Sequence, residues 1–106
     1  MNSCNFLGRL YGDVYHTKDQ DIDVVSFQLE VENFRKNKNG TKSRTVAILE
    51  FEAWHTAALT ISQKLNVGDL ILVECSAKTS NDSDKPYFRV NSFKIFNKER
   101  YSEIKE

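Results

Sequence analysis

The chain has 106 residues, with 15 Lys and Arg balanced by 15 Asp and Glu for a formal net charge of zero. That length suits one domain with a single core that needs no disulfides. Zero net charge excludes global attraction to a polyanion, so any such attraction must be local.

Cys4 to Tyr11 reads as a short apolar strand broken by Gly8 and Arg9. Glycine inside a strand often marks a bulge or sharp bend, as a small closed barrel requires. Residues 16–23 are polar and acidic and read as a loop. Asp19, Asp21 and Asp23 alternate like the start of a calcium loop, but the sixth position is Val24 instead of glycine. The run is therefore read as solvated loop, and no metal or cofactor is expected.

The first long strand runs from Val24 to Phe34. Val25, Phe27, Leu29 and Val31 alternate with Ser26, Gln28, Glu30 and Glu32. Successive side chains on a strand point to opposite faces, so odd positions read as core and even ones as solvent. Phe34 has even parity and falls on the polar face. The next strand, Thr45 to Trp54, sets Ala47, Leu49, Phe51 and Ala53 inward, leaving the only Trp, Trp54, on the outward row with Glu50 and Glu52. Between the two strands, residues 35–44 carry Arg35, Lys36, Lys38, Lys42 and Arg44 and no acidic residue. Asn39-Gly40 is a hairpin turn signal.

The period then changes. His55 to Leu65 places Ala57, Ala58, Ile61 and Leu65 on one helical face. Thr56 is the expected N-cap, and Gly68 suits the helix end. Leu70 to Cys75 reads as a buried strand, residues 80–86 as a polar loop, and Tyr87 to Phe96 as the last strand. Residues 97–106 form a short charged extension to a domain spanning 1–96. Cys4 and Cys75 form no C-x-x-C pair and read as small buried hydrophobes of a reducing compartment. No apolar run approaches the ~20 residues of a membrane span. The first five residues lack the features of a signal peptide.

Five strands with one helix between the third and fourth is the plan of an all-β OB-fold, a Greek-key barrel. Outward aromatics beside a cationic hairpin suit a single-stranded nucleic acid, with stacking on rings and cations on phosphates. The bland alternatives are a core or subunit-interface Trp54 and a hairpin tip that is merely solvated. Glu30, Glu32, Glu50 and Glu52 on the same outer face count against a uniformly cationic groove. His16 and His55 stand apart from any nucleophile arrangement, no phosphate-cradling glycine loop is present, and no enzyme is expected.

The Met1-Asn2 start, Leu7-Gly8-Arg9-Leu10, Val25 to Arg35 with the Gly40 loop, Phe51-Glu52-Ala53-Trp54 and Leu65-Asn66-Val67-Gly68-Asp69-Leu70 resemble, in order and spacing, a bacterial-type single-stranded DNA-binding protein. The resemblance covers residues 1–96. It implies that Phe34 and Trp54 stack on bases while Arg35, Lys36, Lys38, Lys42 and Arg44 contact phosphates, with Lys78, Tyr87 and Arg89 as further contributors. It also implies a homo-oligomer, tetramer or dimer, acting in DNA replication, repair or recombination in the cytoplasm near the nucleoid. Departures from the pattern are Ile48 and Glu50, where the family often has an aromatic and a basic residue. The hairpin between the fourth and fifth strands is expected to be short, with Tyr87 the nearest substitute for its common aromatic. The family's long tail with an acidic, hydrophobic tip has no counterpart before Glu106. The short form also resembles primosomal replication protein N. Two other readings stay open: an adaptor working mainly through contacts with replication proteins, and an RNA-binding OB module.

Overall fold

The computed structural model describes residues 2–79 and 85–97. Its elements are β1 (Cys4–Asp19), β2 (Ile22–Lys36), β3 (Lys42–Trp54), α1 (His55–Lys64), β4 (Leu70–Thr79) and β5 (Pro86–Phe96). The strands close a barrel in the order β1-β2-β3-β5-β4, with β4 returning to β1. Every pairing is antiparallel except the short parallel contact of β3 with β5. This is the five-stranded OB-fold that the element order predicts.

The odd rows of β2 and β3 fill the barrel. Val25, Phe27, Leu29, Val31, Phe51 and Ala53 are buried, together with Ile71, Val73 and Cys75 of β4. Phe51 lies at the centre of an aromatic cluster. Its ring stacks on Phe27 at 5.6 Å and meets Phe6 at 5.8 Å and Phe88 at 5.4 Å. Such ring pairs add to the roughly 1.5–3 kcal/mol gained by burying a side chain of this size. The helix packs against β2, β3 and β1 and buries Ala58 and Ile61 as its period requires, with Leu65 buried just beyond it.

Gly8 is needed for a different reason than a turn. A Cβ there would stand 2.9 Å from the carbonyl oxygen of Glu30 and 3.1 Å from Leu29. β1 therefore crosses β2 too closely for any side chain.

Several boundaries differ from the sequence expectation. Residues 16–19 are strand, and the turn contains only Gln20 and Asp21, both at positive φ (52° and 67°). That is the geometry of a two-residue type I′ hairpin, whose twist matches the flanking strands. β1 reaches this turn because a bulge follows Gly12 (φ 77°). Tyr11 pairs with Gln28 and Tyr15 with Ser26, so four steps on β1 match two on β2. His16 Nε2 and Asp23 Oδ1, 2.8 Å apart, tie the hairpin together. β4 continues past Cys75 to Thr79, so its hairpin with β5 is longer than expected. Thr56 is not the N-cap. The helix begins at His55 with Trp54 in the cap position and no side-chain cap bond, and the Thr56 carbonyl instead accepts from Thr60 Oγ1 at 3.1 Å. Both cysteines are free thiols, yet Cys4 lies directly opposite Cys75 across β1 and β4. Burial, with smaller contributions from Cys4 and Glu74, pushes the Cys75 thiol from 9.0 up to about 11. Among the described residues, no helix is long and apolar enough to cross a membrane.

Candidate nucleic-acid interface

The inward apolar row of the β2–β3 hairpin stops at Val31 and Ala47. Beyond them the same row reads Asn33, Arg35, Ser43 and Thr45, which leaves nothing to bury. The two strands nevertheless stay paired out to Lys36 and Lys42. They form an arm standing off the barrel, closed by a turn in which Asn37 N–H donates to the Thr41 carbonyl at 2.7 Å. Gly40 takes φ 85° there, and its N–H donates to the Asn37 carbonyl at 3.1 Å.

The outer row of the arm gathers four of the ten predicted residues. Phe34, 68 % exposed, lies directly opposite Arg44, and Lys36 lies directly opposite Lys42. Like charges facing each other across a strand pair destabilise it. An exposed hairpin that keeps them is suited to an anion. Arg35 belongs to the other row of the arm and Lys38 to the turn, both exposed. Arg44 is not a free cation, because its Nη2 donates to Glu32 Oε1. Glu32 lies two residues along β2 from Phe34, on the same face.

Towards the barrel the outer face continues in registered rows. Tyr11, Gln28 and Glu50 form one; Tyr15, Ser26, Glu52 and Arg89 form the next. A groove of about 700 Å³ crosses these rows, lined by Asp13, Tyr15, Gln28, Glu50, Lys85 and Tyr87 among others. Lys78 is exposed and lies opposite Tyr87 across β4 and β5. Between groove and arm the wall carries Ile48 and Val46, opposite Glu30 and Glu32.

Trp54 ends the face. It pairs with Val24, ten residues along β2 from Phe34, a contour of about 33 Å at ~3.3 Å per residue. The two rings therefore do not bracket the cationic loop together; only Phe34 adjoins it. Trp54 is half-buried, and its surroundings are specific. Its indole N–H donates to Glu52 Oε1. The Arg89 guanidinium lies over the ring, 4.8 Å from its centroid. Arg89 Nε and Nη2 donate to the same Glu52 oxygen at 3.2 and 3.0 Å. Parity correctly sets Trp54 on the outer side, but Val24 beside it is buried, so this end of the face is partly covered.

Sequence reasoning missed Tyr15, which is 66 % exposed on the rim of the groove, and Tyr11 beside it. Ending the first strand at Tyr11 hid them. The signal was Gly12, a strand glycine that could have been read as a bulge with the strand continuing behind it.

An OB barrel with a cationic arm and aromatics spread along one sheet face defines the class of oligonucleotide-binding barrels. The single-strand binding protein family model matches residues 1–100, and the chain belongs to that family. The comparisons do not single out the primosomal branch. Among solved structures, the single-stranded DNA binding protein from Thermus aquaticus, as a deletion mutant, superposes with a TM-score of 0.80 at 12% identity. That match covers 92% of this chain but only 51% of the other, so the chain spans about half the length of that protein. A small single-stranded DNA-binding protein from Streptomyces coelicolor gives a TM-score of 0.71 at 15% identity over 92% and 94% of the two chains. The SSB domain of a Synechococcus sp. protein gives 0.69 at 14% identity over 92% and 96%. At these identities the structures establish the fold alone. No curated protein matches.

Proposed function

We propose that the chain binds single-stranded DNA without catalysis, along the outer face of β2 and β3 from the arm to the groove. The observation that carries this reading is the outer row of the arm. Exposed Phe34 and the opposed Lys36 and Lys42 offer a stacking ring beside cations with no partner on the protein among the described residues. Arg35, Lys38 and Arg44 extend the cationic surface. Tyr15, Tyr87 and Trp54 give further ring surfaces towards the far end, with Lys78 and Arg89 beside them. A run of ~33 Å holds several nucleotides of an extended strand, in keeping with about 4–16 per OB fold. Cellular roles in replication, repair or recombination follow from this activity and the family.

The test is titration of labelled single-stranded DNA, single-stranded RNA and duplex DNA at two salt concentrations, with Phe34→Ala alongside. Single-stranded DNA should bind tightest, and Phe34→Ala should cost roughly 1–3 kcal/mol. Equal affinity for duplex, or an unaffected Phe34→Ala, would refute the reading. Tighter binding of RNA would instead assign the chain as an RNA-binding module.

A second reading rests on the middle of the same face. Val46 and Ile48, 44% and 41% exposed, lie opposite carboxylates, which suits a protein partner better than a phosphate chain. That partner would be another replication protein. Self-association is a further part of the proposal. Leu7 and Leu72 face each other across β1 and β4, both about half exposed, and Leu7 also lines a groove with Phe34 of the arm. Sedimentation at tens of micromolar should show a dimer or tetramer.

A further inference from the structure

We propose that Glu32 and Glu52 are built-in competitors for the phosphate backbone, each holding an arginine of the binding face in an ion pair that a bound strand must exchange for a phosphate. The inference rests on the single-strand binding reading above. It starts from a pattern repeated at both ends of the face. At the arm, the exposed ring of Phe34 sits opposite Arg44, and Arg44 is held by Glu32. At the barrel end, Trp54 sits under Arg89, and Arg89 is held by Glu52. In both places the aromatic, the arginine and the glutamate share one side of the sheet.

Both pairs are reachable by solvent. The arginine side chains are 53% and 39% exposed and the glutamates 43% and 22%. The exposed Arg44–Glu32 pair contributes little to stability, so the fold does not explain its presence; the Arg89–Glu52 pair is part-buried and also holds Trp54. Their effect on binding is larger. An arginine that leaves a carboxylate for a phosphate gains one anion and loses another. The carboxylate left behind then faces the phosphate and takes up a cation from solution. Net counterion release from that site is close to zero, so the pair adds little to affinity or to its salt dependence. On the arm, Arg35, Lys36, Lys38 and Lys42, which make no ion pair among the described residues, carry both. Four such cations give a slope of log K against log salt of about −2.8 at ~0.7 per phosphate.

At the barrel end the exchange has a second consequence. Arg89 covers one face of the only Trp, and a single Glu52 oxygen accepts from both side chains. Transfer of Arg89 to a phosphate bares that ring face to a base. Phosphate contact and stacking at Trp54 are thereby coupled through Glu52.

The experiment compares the unsubstituted chain with Glu32→Gln, Glu52→Gln, the double variant and Glu30→Gln. Glutamine keeps the shape and an acceptor oxygen. Glu30 is the control, because it lies on the same face opposite Ile48 and makes no ion pair among the described residues. A labelled thymidine oligonucleotide is titrated at several salt concentrations, following anisotropy and Trp54 emission, with melting curves to verify folding. Each single variant should bind about 3- to 10-fold tighter at low salt. The double variant's slope should steepen by about 1.4, and Glu52→Gln should deepen the Trp54 quenching on binding. Glu30→Gln should leave the slope unchanged. Weaker binding by Glu52→Gln would show that Glu52 positions Arg89 for the ligand, and would overturn the proposal. So would equal effects of all three single variants, which would reduce it to general face charge. If no protein binds, variants included, the single-strand reading itself falls and the proposal with it. Binding by the variants alone would support both.

Discussion

Replacing Lys36, Lys38 and Lys42 together with Ala isolates the electrostatic part of the proposed interface. All three are exposed, on an arm whose residues bury almost nothing. Lys36 faces Lys42 across the strand pair, so their removal relieves a repulsion instead of breaking a contact. Such opposed charges cost roughly 0.2–1 kcal/mol, and the melting temperature should hold or rise slightly. Binding should change in slope as well as strength. Three lost phosphate contacts reduce the slope of log K against log salt by about 2.1 on a single strand. Between 50 and 200 mM salt the variant should therefore lose about 20-fold less affinity than the unsubstituted chain. Arg44 is left in place because Glu32 already holds it. The assay is anisotropy of a labelled oligonucleotide at four salt concentrations, for several base compositions. Base preference should not move, because phosphate contacts carry no direct sequence information. An unchanged slope would mean that the arm is an ordinary solvated hairpin, and the protein-contact reading would then be favoured.

Other consequences can be checked independently. Single-stranded DNA should quench Trp54 emission, and unchanged emission at saturation would confine contact to the Phe34 end. Phe51→Ala removes the ring at the centre of the aromatic cluster and should cost about 3–5 kcal/mol in a chemical denaturation series. Gly8→Ala forces a Cβ against the Glu30 carbonyl, so a loss of about 1–3 kcal/mol is expected by the same measurement; neutrality would show that β1 can move away from β2. The Cys75 thiol keeps its proton in the fold after the unfolded chain has lost it. Stability should therefore be full below pH 9.0 and fall between 9.0 and about 11, by at most about 1.4 kcal/mol per pH unit. A Cys75→Ala variant showing the same decline would assign it to other groups.

The barrel was legible because its strands alternate with little interruption. Val25 to Val31 and Leu49 to Ala53 identify a one-sided sheet, and the shift to a helical period at His55 places the helix. The second half of β1 was not legible for a physical reason. Tyr15, His16, Thr17 and Lys18 are all exposed and bury nothing, so no periodic signal marks them as strand. What makes them strand is pairing with Asp23, Val24, Val25 and Ser26 and the tight turn at Gln20 and Asp21. The site divides in the same way. Parity alone set Phe34 on the outer face. The clamp on Arg89 joins residues 37 positions apart in the chain and depends on the parallel register of β3 with β5, which no local pattern encodes.

A chain with no net charge can serve a polyanion only if its charges are sorted in space, and here the end of the apolar row does the sorting. Up to Val31 and Ala47 one side of the hairpin is committed to the core. The outer side of that stretch carries Glu30, Glu50 and Glu52. Past that point both sides are wet, and the arm can hold cations on either row without desolvating any of them. Lysine and arginine then collect where their side chains reach furthest from the barrel's own carboxylates. Glu32 and Glu52 are the exceptions, each in an ion pair with an arginine of the face. Affinity in such an arrangement depends on which cations are already paired, a quantity that the net charge does not report.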